Sequence, residues 1–308
     1  LNTKSFLFAS ITVIIWASSF PAIRMVLHEG YSPGHLVLTR YFIASVIFAI
    51  YAMWPGVKFR LPEKKDLLPI AVLGWTGISL YHIGVTFGEE TVSAGTAGMI
   101  VGAAPIFTSL IAVFFLKERI SLFGWLGLAL GFAGIAIITM ADSAGPVFQM
   151  NKGVLFILMA ACATAVMFAY QKPLLKRYSS IELTAYFTWV GTIPFFFFSP
   201  GMIEGLQQAT LEAHLATIYI GIFPTVIGYV TWGLALSSGK ASSVTSMLYI
   251  EPVFVILLAW IWLNEWPSMV SLIGGAIAIS GVLVIHMLGS KQFRRRKQNR
   301  PHTGTIKC

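Results

Sequence analysis

Apolar stretches of about 18 to 22 residues recur along the whole chain, separated by short polar connections. A bilayer core about 30 Å thick needs about 20 such residues per helix. Lipid offers no partner to backbone N–H and C=O groups, so runs of this kind close their hydrogen bonds as helices or in a closed barrel. These runs are continuously apolar and do not alternate with period two, which excludes a barrel. The pattern predicts ten helices, over residues 5–22, 36–54, 67–87, 92–116, 121–140, 153–171, 182–199, 214–236, 241–263 and 269–288. No connection has room for a soluble domain. The connections after the fifth and seventh helices carry the breakers Gly145-Pro146 and Ser199-Pro200-Gly201.

Composition agrees. Of 308 residues 56% are hydrophobic and 11% are charged, against about 25% charged in an ordinary soluble chain. The net charge of +9 raises the question of nucleic acid, but the cations sit in short loops between spans, where membrane topology explains them better. With the N-terminus inside, 18 Lys and Arg fall on the inner side and two, Arg24 and Lys152, on the outer; Arg40 lies within the second helix. This positive-inside bias predicts an inner-membrane protein with both ends in the cytoplasm and an even number of spans. The first apolar segment follows Lys4, has no small-residue cleavage site, and reads as a helix and not a signal peptide. Two cysteines, Cys162 and Cys308, exclude a disulfide framework, and Cys162 reads as a packing residue.

The chain repeats itself at an offset of 147. Residues 94–138 match 241–285 without a gap, with 12 of 45 positions identical, among them Pro105 with Pro252, Glu118 with Glu265, Gly127 with Gly274 and Gly134 with Gly281. The same offset carries Tyr31-Ser32 onto Tyr178-Ser179 and Gly74 onto Gly221. Each unit holds five helices, and five is odd, so the second unit is expected upside down. Loop charges follow this inversion: 57–66 has four cations and its equivalent 204–213 none, while 23–35 has only Arg24 and 170–182 has Lys172, Lys176 and Arg177. The expected architecture is an all-α membrane protein of ten transmembrane helices, two inverted five-helix repeats (1–145 and 146–290) around a central cavity, and a basic tail (291–308). Inverted repeats let a midplane site open alternately to either side, which points to transport.

Trp16-Ala-Ser-Ser-Phe20 in the first helix, Arg40 in the second, and the Pro105…Leu-Lys-Glu118 and Pro252…Leu-Asn-Glu265 stretches, each followed by a Gly-rich helix, give the chain a family likeness. It resembles the EamA-type members of the drug/metabolite transporter superfamily, over residues 6–139 and 153–286. The resemblance implies a ten-helix carrier with a central cavity, often an exporter of amino acids or other metabolites. The second unit departs from the pattern where Ala163 stands for Trp16 and Phe187 for Arg40.

Several residues are candidates for the substrate pathway. An arginine at mid-membrane costs about 2.5–3.5 kcal/mol on insertion scales, so Arg40 needs a partner or water. Two readings are open: attraction of a substrate anion, or a structural bond to backbone carbonyls or Glu251, or snorkelling to the surface. Glu251, the one acid placed deep in a span, precedes Pro252, which removes a backbone donor. It reads either as a carrier of a coupling proton or a binder of an amino group, or as a structural ion pair. Tyr81 and His82 lie mid-span, where a lone histidine is either titratable or a hydrogen-bonded packing residue. Trp16 and Tyr249 are the aromatic residues favoured to line a cavity; Tyr170, Tyr229 and Trp232 fit a cavity or a lipid interface equally. Trp54, Trp75, Trp260, Trp262 and Trp266 read as lipid-facing. Pro105 and Pro252 mark helix breaks, Glu118 and Glu265 are gating or structural, and Glu89-Glu90 read as solvated. Gly124, Gly127, Gly131 and Gly134, echoed by Gly274, Ala278 and Gly281, are close-packing positions that could also form a dimer seam.

No Walker loop, HExxH or paired cysteines occur, so neither ATP hydrolysis, nor a metal or cofactor, nor an enzyme is expected. The expected partners are a small-molecule substrate, the lipid bilayer and a coupling proton, with the protein a monomer or homodimer. The rival readings are a membrane-embedded enzyme and a passive channel.

Overall fold

A computed structural model describes residues 3–114, 122–141, 151–239 and 244–284. Glu118, Cys308 and the basic tail lie outside these. Among the described residues the structure is entirely helical. Seven helices are long and apolar enough to cross a membrane, and three are shorter apolar helices. In chain order they are α1 (Thr3–His28), α2 (Pro33–Met53), α3 (Lys64–Gly88), α4 (Ala94–Ile111), α5 (Leu122–Ala141), α6 (Lys152–Tyr170), α7 (Ser180–Phe198), α8 (Leu211–Ser238), α9 (Met247–Leu263) and α10 (Met269–Val284). A short helix, Met202–Gln208, lies between α7 and α8.

Local sequence sets the helix ends. Ser32, Ser93, Ser179 and Thr210 cap α2, α4, α7 and α8, each accepting from a backbone N–H three residues on. α1 runs six residues past its expected end, carrying Arg24 out of the loop and into the helix. Pro21 lies within it, where packing by its neighbours outweighs the loss of one hydrogen bond. α3 and α8 are not uniform: each contains a π-helical stretch, Trp75–Leu80 and Gly221–Gly228, the latter around Pro224. Widening the turn accommodates a residue that cannot donate.

Small residues bring the helices together. Gly134 of α5 faces Gly274 and Ala278 of α10, while Gly281 of α10 faces Gly127 and Gly131 of α5. These glycine faces pack on each other within one chain. Gly98 and Gly102 of α4 receive Val255 and Pro252 of α9, and Gly84 and Gly88 of α3 approach the α6 backbone at Phe156 and Gly153. Contact is the main attraction available here, because lipid is as apolar as the helix surfaces.

One end of the bundle is tied by polar bonds. The Glu182 carboxylate, 4% exposed, accepts from the backbone and guanidinium of Arg60 and from the Ser179 N–H. Beside it Asp66 pairs with Arg177 at 2.7 Å and accepts from Tyr178. These bonds fasten the α2–α3 connection to the start of α7.

Two expectations need correction. Cys162 is exposed on the outer face of α6 and is not packed inside. Glu89 is fully buried, whereas Glu90 is exposed, in the turn that follows α3. The tryptophans at 54, 75, 260, 262 and 266 all lie on the outer surface.

Candidate substrate cavity

A cavity lies among α1, α2, α3, α4, α6, α8 and α9. Its walls include Trp16, Ser19, Arg40, Tyr81, His82, Pro105, Phe168, Pro224, Tyr229 and Glu251. Its volume is about 30 Å³, room for about two waters. As it stands, the space is too small for a metabolite.

Arg40 is 1% exposed, so it does not snorkel. It is held from α8, not by Glu251: Nε and Nη2 donate to the Thr225 hydroxyl at 3.3 and 3.0 Å. Thr225 in turn donates to the Ile220 carbonyl five residues back, at 2.8 Å. That reach follows from the π-helical turn, which places residue i over i−5. The guanidinium carbon lies 5.3 Å from the Tyr41 ring centroid, within cation–π range. The remaining nitrogen, Nη1, is buried with no protein partner.

His82 packs its ring on Tyr41 and Tyr81, with centroids 4.9 and 4.6 Å away. Its Nε2 meets the Tyr229 hydroxyl at 3.1 Å, and that hydroxyl donates to the Gly77 carbonyl at 3.4 Å. Nδ1 of His82 has no protein partner. Buried polar atoms left open this way call for water or a ligand, and Arg40 and His82 both line the cavity.

Across α1, Trp16 donates from Nε1 to the Pro224 carbonyl at 3.2 Å and packs on Tyr229 and Trp232, with centroids 5.0 and 5.4 Å away. Gly228 permits this: a Cβ there would fall 2.6 Å from Trp16 Nε1. Glu251 is 6% exposed and opens the α-helical part of α9, after a 3₁₀ turn over Ser246–Ile250. Pro252 occupies the first turn, where its missing N–H costs nothing. Pro105 likewise sits at the second residue of a new segment, after a break at Ala103. Glu251 forms no ion pair among the described residues.

Five of the six pathway candidates, Trp16, Arg40, Tyr81, His82 and Glu251, line this cavity; Tyr249 does not. It packs instead against the Ala103, Ile106 and Leu128 cluster. Pro105 lines the cavity and Pro252 faces Gly102. Glu265 is remote from it and pairs with Arg24 at 3.0 Å. Sequence reasoning missed Thr225, Thr164 and Phe168. The need of Arg40 for a partner was the one signal for Thr225, but nothing in the pattern points to α8 as its source.

The model of the EamA-like transporter family matches the chain twice, over residues 3–140 and 151–287. The chain belongs to the EamA-like transporter family. This EamA-like chain is a multi-pass membrane protein. It is 37% identical to the uncharacterized transporter YdfC of Bacillus subtilis (strain 168), covering 92% of this chain and 90% of that one. It is 38% identical to a protein of Streptantibioticus cattleyicolor named a probable terminal-alkyne amino-acid exporter, covering 94% and 95%. A solved crystal structure shares the fold, with a TM-score of 0.63 at 18% identity over 95% of this chain and 99% of the other.

Proposed function

We propose that the protein is a secondary transporter exporting amino acids or closely related small metabolites by alternating access. The observation that carries this is the cavity itself: a cation, Arg40, with one free buried donor, and a carboxyl group, Glu251, that forms no ion pair among the described residues line one small apolar-walled space. An α-amino acid offers the complementary pair, a carboxylate for Arg40 and an ammonium for Glu251. Trp16, Tyr81, Phe168 and Tyr229 offer apolar surface to its side chain. The name of the Streptantibioticus relative, and that of a Salmonella typhimurium relative at 23% identity, a probable amino-acid metabolite efflux pump, favour the same class.

The architecture is read as ten transmembrane helices in two inverted repeats, 1–145 and 146–290, with both ends in the cytoplasm and the tail 291–308 on that side. Reciprocal contacts support an internal two-fold axis. A Cβ at Gly74 would lie 3.1 Å from the Phe187 carbonyl, and one at Gly221 would lie 3.1 Å from the Arg40 carbonyl; adding 147 to the first pair gives Gly221 with residue 334, outside the chain, but exchanging the units turns Gly74–Phe187 into Gly221–Arg40. The Gly134–Gly274 and Gly281–Gly127 contacts exchange in the same way. Ser45 with Thr192 and His82 with Tyr229 are separated by 147 and touch each other, as residues on such an axis would. The π-helical stretches of α3 and α8 fall at matching places.

In this cycle the contracted cavity is an intermediate between inward and outward openings. Glu251 carries the coupling proton, exchanging it for the substrate ammonium. Proteoliposomes loaded with radiolabelled L-leucine, L-phenylalanine or L-propargylglycine test the reading: an imposed inward proton gradient is expected to drive saturable, trans-stimulated efflux of at least one. Linear, unsaturable flux would favour the channel reading, and no flux of any amino acid would refute the substrate class.

A further inference from the structure

At the end of the bundle that the topology places outside, four segments meet around one arginine. Arg24 of α1 donates from Nε to Glu265, beyond α9, at 3.0 Å. Its Nη1 donates to the main-chain carbonyl of Glu89, at the end of α3, and to that of Glu90 at 3.1 Å. The second oxygen of Glu265 accepts from the Ala94 N–H, the first residue of α4, at 3.3 Å. One cation thus holds the ends of α1, α3 and α9 together, with α4 attached through Glu265.

The side chain of Glu89 takes no part in this. It is fully buried, and neither carboxylate oxygen has a hydrogen-bond partner. Burial without partners disfavours the charged form and pushes the carboxyl well above its ordinary range, Glu265 adding to this and Arg24 opposing it. The charged groups acting on it are Arg24 from α1, Glu265 beyond α9 and Arg40 from α2. Lys152, which opens the neighbouring α6, is exposed, as is Glu90. In the structure as it stands, Arg24 therefore has one carboxylate in use, 22% exposed, and a second, fully buried one beside it that accepts nothing.

We propose that Glu89 is a proton-binding site that controls the Arg24–Glu265 tie. Protonated, it leaves Arg24 to Glu265 and the outer end stays closed. When the proton passes to water, the new carboxylate draws most strongly on Arg24, the cation that acts on it most. Glu265 can fall back on solvent and Glu89 cannot, so Arg24 turns to Glu89 and the outer ends of α1 and α9 separate. This deepens the transporter reading and rests on it for the identity of the outer side.

The test uses the full chain in lipid nanodiscs with Cys162→Ala and Cys308→Ala, spin-labelled at His28 and Met269, both exposed. Pulsed electron–electron distance measurements run from pH 5 to pH 9. The otherwise unaltered protein is expected to give one short distance at pH 5 and a growing longer population as pH rises. Glu89→Gln, which mimics the neutral acid in shape, is expected to hold the short distance at every pH. Glu265→Gln is expected to give the longer population even at pH 5. A longer population that grows with pH as strongly in Glu89→Gln, no pH response in the parent, or a closed Glu265→Gln protein would each overturn the proposal. If the pH response obeys Glu89 but no amino acid is transported, the transporter reading fails and the proton site stands.

Discussion

Arg40 offers the sharpest test of the cavity. Two of its three guanidinium nitrogens are fixed by Thr225, and Nη1 is the one left without a protein partner. If Nη1 donates to a substrate carboxylate, that bond is charge-assisted and worth about 1.5–3 kcal/mol. At about 1.4 kcal/mol per decade, this is roughly a 10- to 150-fold contribution to affinity. The perturbation is therefore applied twice, to protein and to ligand. L-phenylalanine and its methyl ester differ by the carboxylate charge; Arg40→Gln removes the matching cation. Titration calorimetry on purified protein gives four dissociation constants. The unaltered protein is expected to prefer the acid by a factor in that range, and Arg40→Gln to show little preference, because the coupling lies between those two groups. An acid-to-ester ratio that survives Arg40→Gln unchanged would refute the assignment, whatever the mutation does to affinity overall. It would return Arg40 to a structural role, bonding α2 to α8.

Other substitutions probe neighbouring claims. Thr225→Val removes the acceptor of two Arg40 bonds and is expected to weaken amino-acid binding about tenfold and stability by about 1–3 kcal/mol, in a thermal melt with and without ligand; Thr225→Ser keeps the hydroxyl and is expected to restore both. Glu251→Gln is expected to leave exchange of unlabelled for labelled substrate intact while abolishing pH-gradient-driven efflux, and efflux still driven by the gradient would remove Glu251 from proton coupling. Gly134→Leu places a side chain where a Cβ already falls 2.5 Å from the Gly274 carbonyl. It should force α5 from α10 at a cost of about 1–3 kcal/mol, read as a lowered melting temperature in detergent.

The sequence alone determined that the chain is helical and membrane-embedded. Length and apolarity of the runs suffice for that, because lipid cannot satisfy a bare backbone and the helix is the local way to satisfy it. It also singled out Trp16, Arg40, Tyr81, His82 and Glu251, since a polar or amphipathic group deep in an apolar run is costly wherever it points. What a run cannot encode is which of its faces looks inward, or which distant helix it meets. The sequence favours Tyr249 over Tyr229 as a lining residue, yet packing turns Tyr229 into the cavity and Tyr249 against the Ala103 cluster. Glu89 and Glu90 are adjacent and alike, and the turn that follows α3 buries one and exposes the other. Thr225 had no reason to be noticed until a widened turn in α8 brought it under Arg40. Local hydrogen bonding makes the helices legible from composition, while the partners of each side chain are set by contacts between residues up to 241 positions apart, and these exist only in the packed bundle.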